Sequence, residues 1–217
     1  MHFKEIRIFV FLIGLVPLAL TGETKTEKSY LLVASAFAGE LQAVLDALEG
    51  EVILQTERRN GTEFQVGEVY GMSVVFFETG VGLVNAAMNT QLALTHYPAE
   101  GLIFSGIAGG VNPALDKGDV VVPTRWHYHD YGGYFNPVEP GSEEYPNLVE
   151  VYGYRYDYPN YAMFIPSDVS VFREGMESPG RVADFEVDDN LMAQAEAAAK
   201  DLELFDAYGD EATILLG

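Results

Sequence analysis

Apolar residues fall in short unbroken runs through the first half of the chain, separated by segments where they recur every three or four positions. Residues 30–35 read YLLVAS, a run with the length and continuity of a strand buried on both faces. Leu41, Val44, Leu45 and Leu48 then repeat at helical spacing, and Gly50 supplies a stop. Two β-like runs follow, around 65–70 and 73–78, with Gly71 between them placed to turn a hairpin. The segment TGVGLVNAAMNTQLALTHYP, 79–98, predicts a glycine turn opening a helix that Pro98 closes. Residues 101–106 and 118–123 predict two further buried strands. Near the other end, DDNLMAQAEAAAKDLEL has acidic capping residues and an Ala/Leu-rich helical face, and EATILLG begins another strand. Strands that alternate with helices in this way predict an α/β domain with a largely parallel or mixed sheet.

Two segments depart from that rhythm. Residues 128–165 hold nine of the 13 tyrosines together with Pro137, Pro140, Pro146 and Pro159, a long aromatic loop of the kind that serves as a lid or as surface decoration. Residues 1–22 carry Lys4 and Arg7, then an apolar stretch over 8–20, then a polar stretch. This reads as a signal peptide, because the apolar run is short of the roughly 20 residues a membrane span needs. An uncleaved N-terminal anchor is the alternative. The expected organisation is therefore a signal peptide, 1–22, followed by one domain, 29–217. The expected location is periplasmic or secreted, with no stable membrane association after cleavage.

Composition narrows the function classes. At 217 residues, 48% hydrophobic and 21% charged, the chain can bury the core of one domain. It has no cysteine, which excludes disulfides, thiolate metal sites and a thiol nucleophile. A net charge of −21, from 33 acidic and 12 basic residues, repels nucleic acid backbones and anionic lipid, so neither is an expected partner.

The candidate chemistry gathers where predicted strands end. VASAFAGE (33–40), FETGVG (77–82) and IFSGIAGG (103–110) each run from an apolar segment into a small-residue turn. Open α/β sheets bind ligands at the carboxyl ends of their strands, and small residues let a ligand approach the backbone closely. None of the three is a dinucleotide fingerprint or a phosphate loop. One such turn alone is an ordinary strand-to-helix connection; three in succession point to a shared site. Glu40 lies in the first turn of the first predicted helix. It is either a carboxylate favoured by the helix dipole or a general acid/base at the mouth of the sheet. WHYHDYGG, 126–133, sets His127, His129 and Asp130 together, but in an extended stretch His127 and Asp130 point to opposite faces. No metal site and no cofactor are expected, and hydrogen bonding is the simpler role for these side chains.

SAFAGE, TGVG and SGIAGGVNPALDKGDVVVP, followed by YHD, occur in an order that resembles the nucleoside phosphorylase/nucleosidase superfamily. The branch of closest resemblance is methylthioadenosine/S-adenosylhomocysteine nucleosidase with its secreted and storage-protein relatives. The resemblance implies a three-layer α/β/α domain around a central mixed sheet, acting on a purine nucleoside at its N-glycosidic bond. It implies that Glu40 activates water. Ala36, Gly80, Val81, Ile107, Ala108 and Gly109 would line the substrate, with Val81 on the sugar side and 107–109 beneath the base. It also implies a homodimer, for which 131–135 is the candidate partner loop. Phosphorylases of the superfamily place a glycine and arginine phosphate clamp near the first turn. This turn has no arginine, and a carboxylate there repels phosphate, which favours hydrolysis. Phosphorolysis, and a non-catalytic binding or storage protein of the same fold, are the alternatives. Ile107 stands where the nucleosidases often carry serine, so a hydroxyl is lost. The family's ribose-gripping Met-Glu pair and purine-protonating Asp have no counterpart motif here, and neither Asp206 nor Asp210 lies in one. The expectation is a chain incomplete at its C-terminus and inactive by itself.

Overall fold

In a computed structural model of the chain, the residues described are 28–48, 52–134, 139–140, 164–206 and 208–217. The expected signal peptide lies outside them. The described chain forms two compact units, one built from residues up to 119 together with 201–213, the other from 120–200 and 214–217.

The first unit contains β1 (Tyr30–Ser35), α1 (Ala38–Asp46), β2 (Val52–Arg59), β3 (Thr62–Val69), β4 (Met72–Glu78), α2 (Leu83–His96) and β5 (Ala99–Phe104). Its five strands form one sheet in the order β2-β3-β4-β1-β5. β1 runs parallel to both β4 and β5, and β3 is antiparallel to β2 and β4, so the sheet is mixed. Strand alternation divides the core between the two faces. Leu31, Val33, Val74 and Phe76 pack with Leu41 and Val44 of α1 on one side. Leu32, Ala34, Val75 and Phe77 pack with Ala93 and Tyr97, at the end of α2, on the other. That is the expected α/β/α layering, and the unbroken apolar runs exist because β1 and β4 are covered on both faces.

β2 is not among the strands that the apolar spacing predicts. Only its first three residues are apolar; Gln55 to Arg59 are polar, as suits the outer strand of the sheet. The available signal was Asn60-Gly61. Both residues take positive φ, 47° and 85°, as a tight hairpin turn requires.

The second unit contains β6 (Val120–Val122), β7 (Arg125–Trp126), β8 (Gly132–Tyr134), β9 (Phe164–Pro166), β10 (Val169–Val171), β11 (Gly180–Val182), β12 (Phe185–Glu186) and α3 (Asp189–Ala199). The Asp188 side chain caps α3 by accepting the N–H groups of Asn190 and Leu191. β8 pairs antiparallel with β9, which closes the base of the tyrosine-rich excursion; residues 135–138 and 141–163 lie outside the described residues. β6 corrects an expectation. It is not a buried strand: Val120 and Val121 are 40% and 49% exposed, because among the described residues it pairs only with β15 (Ile214–Leu216), in parallel. In the first unit, β13 (Leu204–Phe205) and β14 (Glu211–Ala212) form a small hairpin. Asp206 shapes its turn by accepting the N–H groups of Tyr208 and Asp210. Asp119 joins this return segment to the loop after β5. Its carboxylate accepts the Thr213 and Asp116 N–H groups at 2.7 and 2.9 Å, which hold its carboxyl below the usual carboxylate range.

Candidate active site

Because β4, β1 and β5 are parallel neighbours, their carboxyl ends lie at one edge of the sheet. The three small-residue turns are therefore adjacent, although they are far apart in sequence. Backbone bonds join them: Thr79 N–H donates to the Ser35 carbonyl at 2.8 Å, and Ser105 N–H to the Ala34 carbonyl at 2.9 Å.

Glu40 adds a side-chain link. α1 begins after Phe37, which offers no side-chain cap. Glu40, three residues on, turns back so that one carboxylate oxygen accepts the Ala36 N–H at 2.8 Å. This is the reaching-back half of a capping box, displaced by one residue. The other oxygen accepts the Ile107 N–H at 2.7 Å, across to the turn after β5. The carboxylate is 7% exposed and bridges the first and third turns. Both readings of Glu40 thus coincide in one side chain: it completes the helix N-terminus and stands at the mouth of the sheet. Each oxygen accepts one of these two N–H groups and retains lone-pair capacity for a further donor.

The second turn is fixed from α2. Asn85 donates to the Val81 carbonyl at 2.9 Å, and Asn89 donates to the Thr79 carbonyl at 2.8 Å. Asn89 also accepts the Thr62 hydroxyl at 2.9 Å. The i, i+4 spacing in NAAMN places both amides on one helix face, and this spacing is the sequence signal for their shared role. Gly80 takes φ of 78°, and a side chain there would meet the Cβ of Asn85 at 3.1 Å.

Among the expected substrate-lining residues, Ala36 serves through its backbone N–H. Val81 and Ile107 are exposed, at 69% and 80%, and Ala108 and Gly109 also lie at the surface. Residues 35–40, 79–82 and 105–110 contain no Arg or Lys. Thr79 and Ser35, both fully buried at this edge, were not anticipated. The Thr79 hydroxyl lies 3.1 Å from the Gly80 carbonyl, whereas the Ser35 hydroxyl has no hydrogen-bond partner among the described residues. His127 and His129 belong to the second unit, where they lie 4.0 Å from Asp184 and 3.8 Å from Asp130 respectively. The stretch is not a continuous strand, because β7 ends at Trp126. Among the described residues, no three His, Asp or Glu side chains are grouped to hold a metal ion.

Comparison with known proteins agrees with this architecture. The 5'-methylthioadenosine/S-adenosylhomocysteine nucleosidases of Bacillus thuringiensis (strain Al Hakam) and Bacillus anthracis are 38% identical to the chain over 100 residues. That match covers 46% of this chain and 42% of theirs, so the alignment spans less than half the length of these curated relatives. Among solved structures, the nucleosidase of the same name from S. pneumoniae, bound to a transition-state inhibitor, superposes with a TM-score of 0.55 at 21% identity. The superposition covers 86% of this chain and 62% of that one. A futalosine hydrolase mutant of Helicobacter pylori gives a TM-score of 0.55 at 18% identity, over 87% and 66% of the two chains. These two likenesses establish a shared fold. The family model described as the Phosphorylase superfamily matches residues 30–209, which takes in all three turns and the sheet that aligns them, and the chain belongs to that superfamily.

Proposed function

We propose that the protein is a purine nucleosidase, hydrolysing the N-glycosidic bond of methylthioadenosine or an S-adenosylhomocysteine-like nucleoside, with Glu40 activating the attacking water. The observation that carries this reading is the placement of Glu40. Its carboxylate is buried, fixed through both oxygens by backbone N–H groups, and set where three parallel strand ends converge. The names of the curated relatives supply the substrate class.

In this mechanism the nucleoside lies over the second and third turns, with Val81 and Ile107 against its apolar parts. As the bond from the anomeric carbon to the purine nitrogen breaks, positive charge develops on the sugar. Glu40 takes a proton from water, the water oxygen bonds to the anomeric carbon, and the purine departs with the bonding electron pair and takes a proton from solvent, to which Glu40 returns its own. A general base held in place contributes typically about 10²–10⁴-fold. A carboxylate in this position, with no arginine or lysine in the three turns, disfavours phosphate as the nucleophile.

Product analysis of the full-length protein tests the reaction. Hydrolysis predicts adenine and the free thiosugar at the same rate with or without phosphate. A sugar 1-phosphate product with strict phosphate dependence would identify a phosphorylase. Binding without turnover would identify a storage protein. Export and dimerisation belong to the same proposal. N-terminal sequencing of the mature protein and light scattering test them.

A further inference from the structure

Gly106 follows Ser105 at the start of the third turn. A Cβ on it would lie 2.9 Å from one Glu40 carboxylate oxygen and 3.1 Å from both the carboxyl carbon and the other oxygen. A glutamate tip can ordinarily swing away from such a contact. Here it is buried and both oxygens are engaged by backbone N–H groups at 2.8 and 2.7 Å, so swinging away forfeits those bonds. The backbone itself does not call for glycine, since Gly106 is not among the residues with positive φ. Close approach of the carboxylate is the remaining reason for the missing side chain.

We propose that Gly106 is a positioning residue for Glu40, its lack of a side chain being what lets the carboxylate sit against the third turn and bridge the Ala36 and Ile107 N–H groups. The part of the proposal that concerns catalysis rests on the nucleosidase reading; the part that concerns the carboxylate does not. Gly106→Ala shifts the carboxylate by a fraction of its own length without altering its chemistry. A misplaced catalytic group of this kind costs about 10²-fold. The loss falls on kcat, with KM moving less than about threefold, because the nucleoside's own contacts are kept.

The test uses the full-length protein. Its first readout, independent of activity, is the NMR shift of the Ala36 amide proton, which the Glu40 carboxylate accepts at 2.8 Å. A weakened bond moves that signal upfield in Gly106→Ala relative to the wild type. Its second readout is coupling: Gly106→Ala should lower Tm in the wild-type background and have little effect in a Glu40→Ala background, where nothing is left to clash. If Gly106→Ala fails to fold alone, recovery of folding in the Glu40→Ala background supports the proposal. An unchanged Ala36 amide signal, or an equal loss of Tm in both backgrounds, overturns it. A wild-type protein that releases no adenine would defeat the nucleosidase reading, while the amide signal and the coupling would still decide the role of Gly106.

Discussion

The Glu40 carboxylate accepts the backbone N–H of Ile107 at 2.7 Å, across sixty-seven positions of sequence. With the Ala36 N–H on its other oxygen, it pins the start of α1 to the turn after β5. Glu40 therefore carries structural weight apart from any chemistry. Charge-assisted hydrogen bonds contribute about 1.5–3 kcal/mol each, and some of that is regained from water when they are lost. Glu40→Ala should destabilise the fold by about 2–3 kcal/mol, and Glu40→Gln, which can still accept one N–H, by about half as much. Urea unfolding of the three proteins measures this, and a loss below about 0.5 kcal/mol in the alanine variant would show that the bridge is idle.

Asn89 joins three elements: its amide group donates to Thr79 after β4 and accepts from Thr62 of β3. Truncation to alanine leaves the Thr79 carbonyl unpaired in a partly buried place. A loss of about 1–2 kcal/mol is expected for Asn89→Ala, and less for Asn85→Ala, whose single bond is exposed. Denaturant midpoints of the two variants give the order directly.

Ser35 presents the opposite case. Its hydroxyl is fully buried without a partner, so it contributes a desolvation cost and no bond. Ser35→Ala should leave stability unchanged or raise it by up to about 1 kcal/mol. A clear loss of stability would mean that the hydroxyl is satisfied in solution.

Tyr97 supplies a pH signature. Burial pushes its phenol up to about 12, helped by the hydrogen bond its hydroxyl donates to Glu57 at 2.9 Å. An unfolded tyrosine loses its proton near pH 10. Between that pH and about 12 the folded protein holds a proton the unfolded chain has released. The Tyr97 contribution is thus fully present below about pH 10 and is lost as pH rises toward the folded value. The stability difference between wild type and Tyr97→Phe should be constant from pH 7 to 9.5 and shrink above pH 10. A difference that does not depend on pH would contradict the assignment.

Legibility of the fold followed burial. The centres of β1 and β4, residues 31–34 and 74–77, are unbroken apolar runs because helices cover both faces, and α2 announces itself by the glycine turn before it and Pro98 after it. β2 is half polar and was missed. In β6 a run of three valines reads as buried, although tertiary pairing leaves it half open. At the site, Glu40 could be singled out as a carboxylate in the first turn of a helix beside a strand end, with a capping and a catalytic reading open, and the family resemblance favoured the second. The role of Gly106 could not, since it acts on a side chain brought near only by the parallel pairing of β1 with β5. Asn85 and Asn89 bond nearer neighbours, and their i, i+4 spacing is visible in the sequence.

The central claim, that Glu40 activates water for N-glycosidic hydrolysis, is tested most directly by single-turnover release of adenine from methylthioadenosine by the full-length protein and its Glu40→Gln variant, both confirmed folded. The wild type should release adenine whether or not phosphate is present, and the variant should lose at least about 10²-fold in rate. A folded variant that keeps more than about a tenth of the wild-type rate would contradict it.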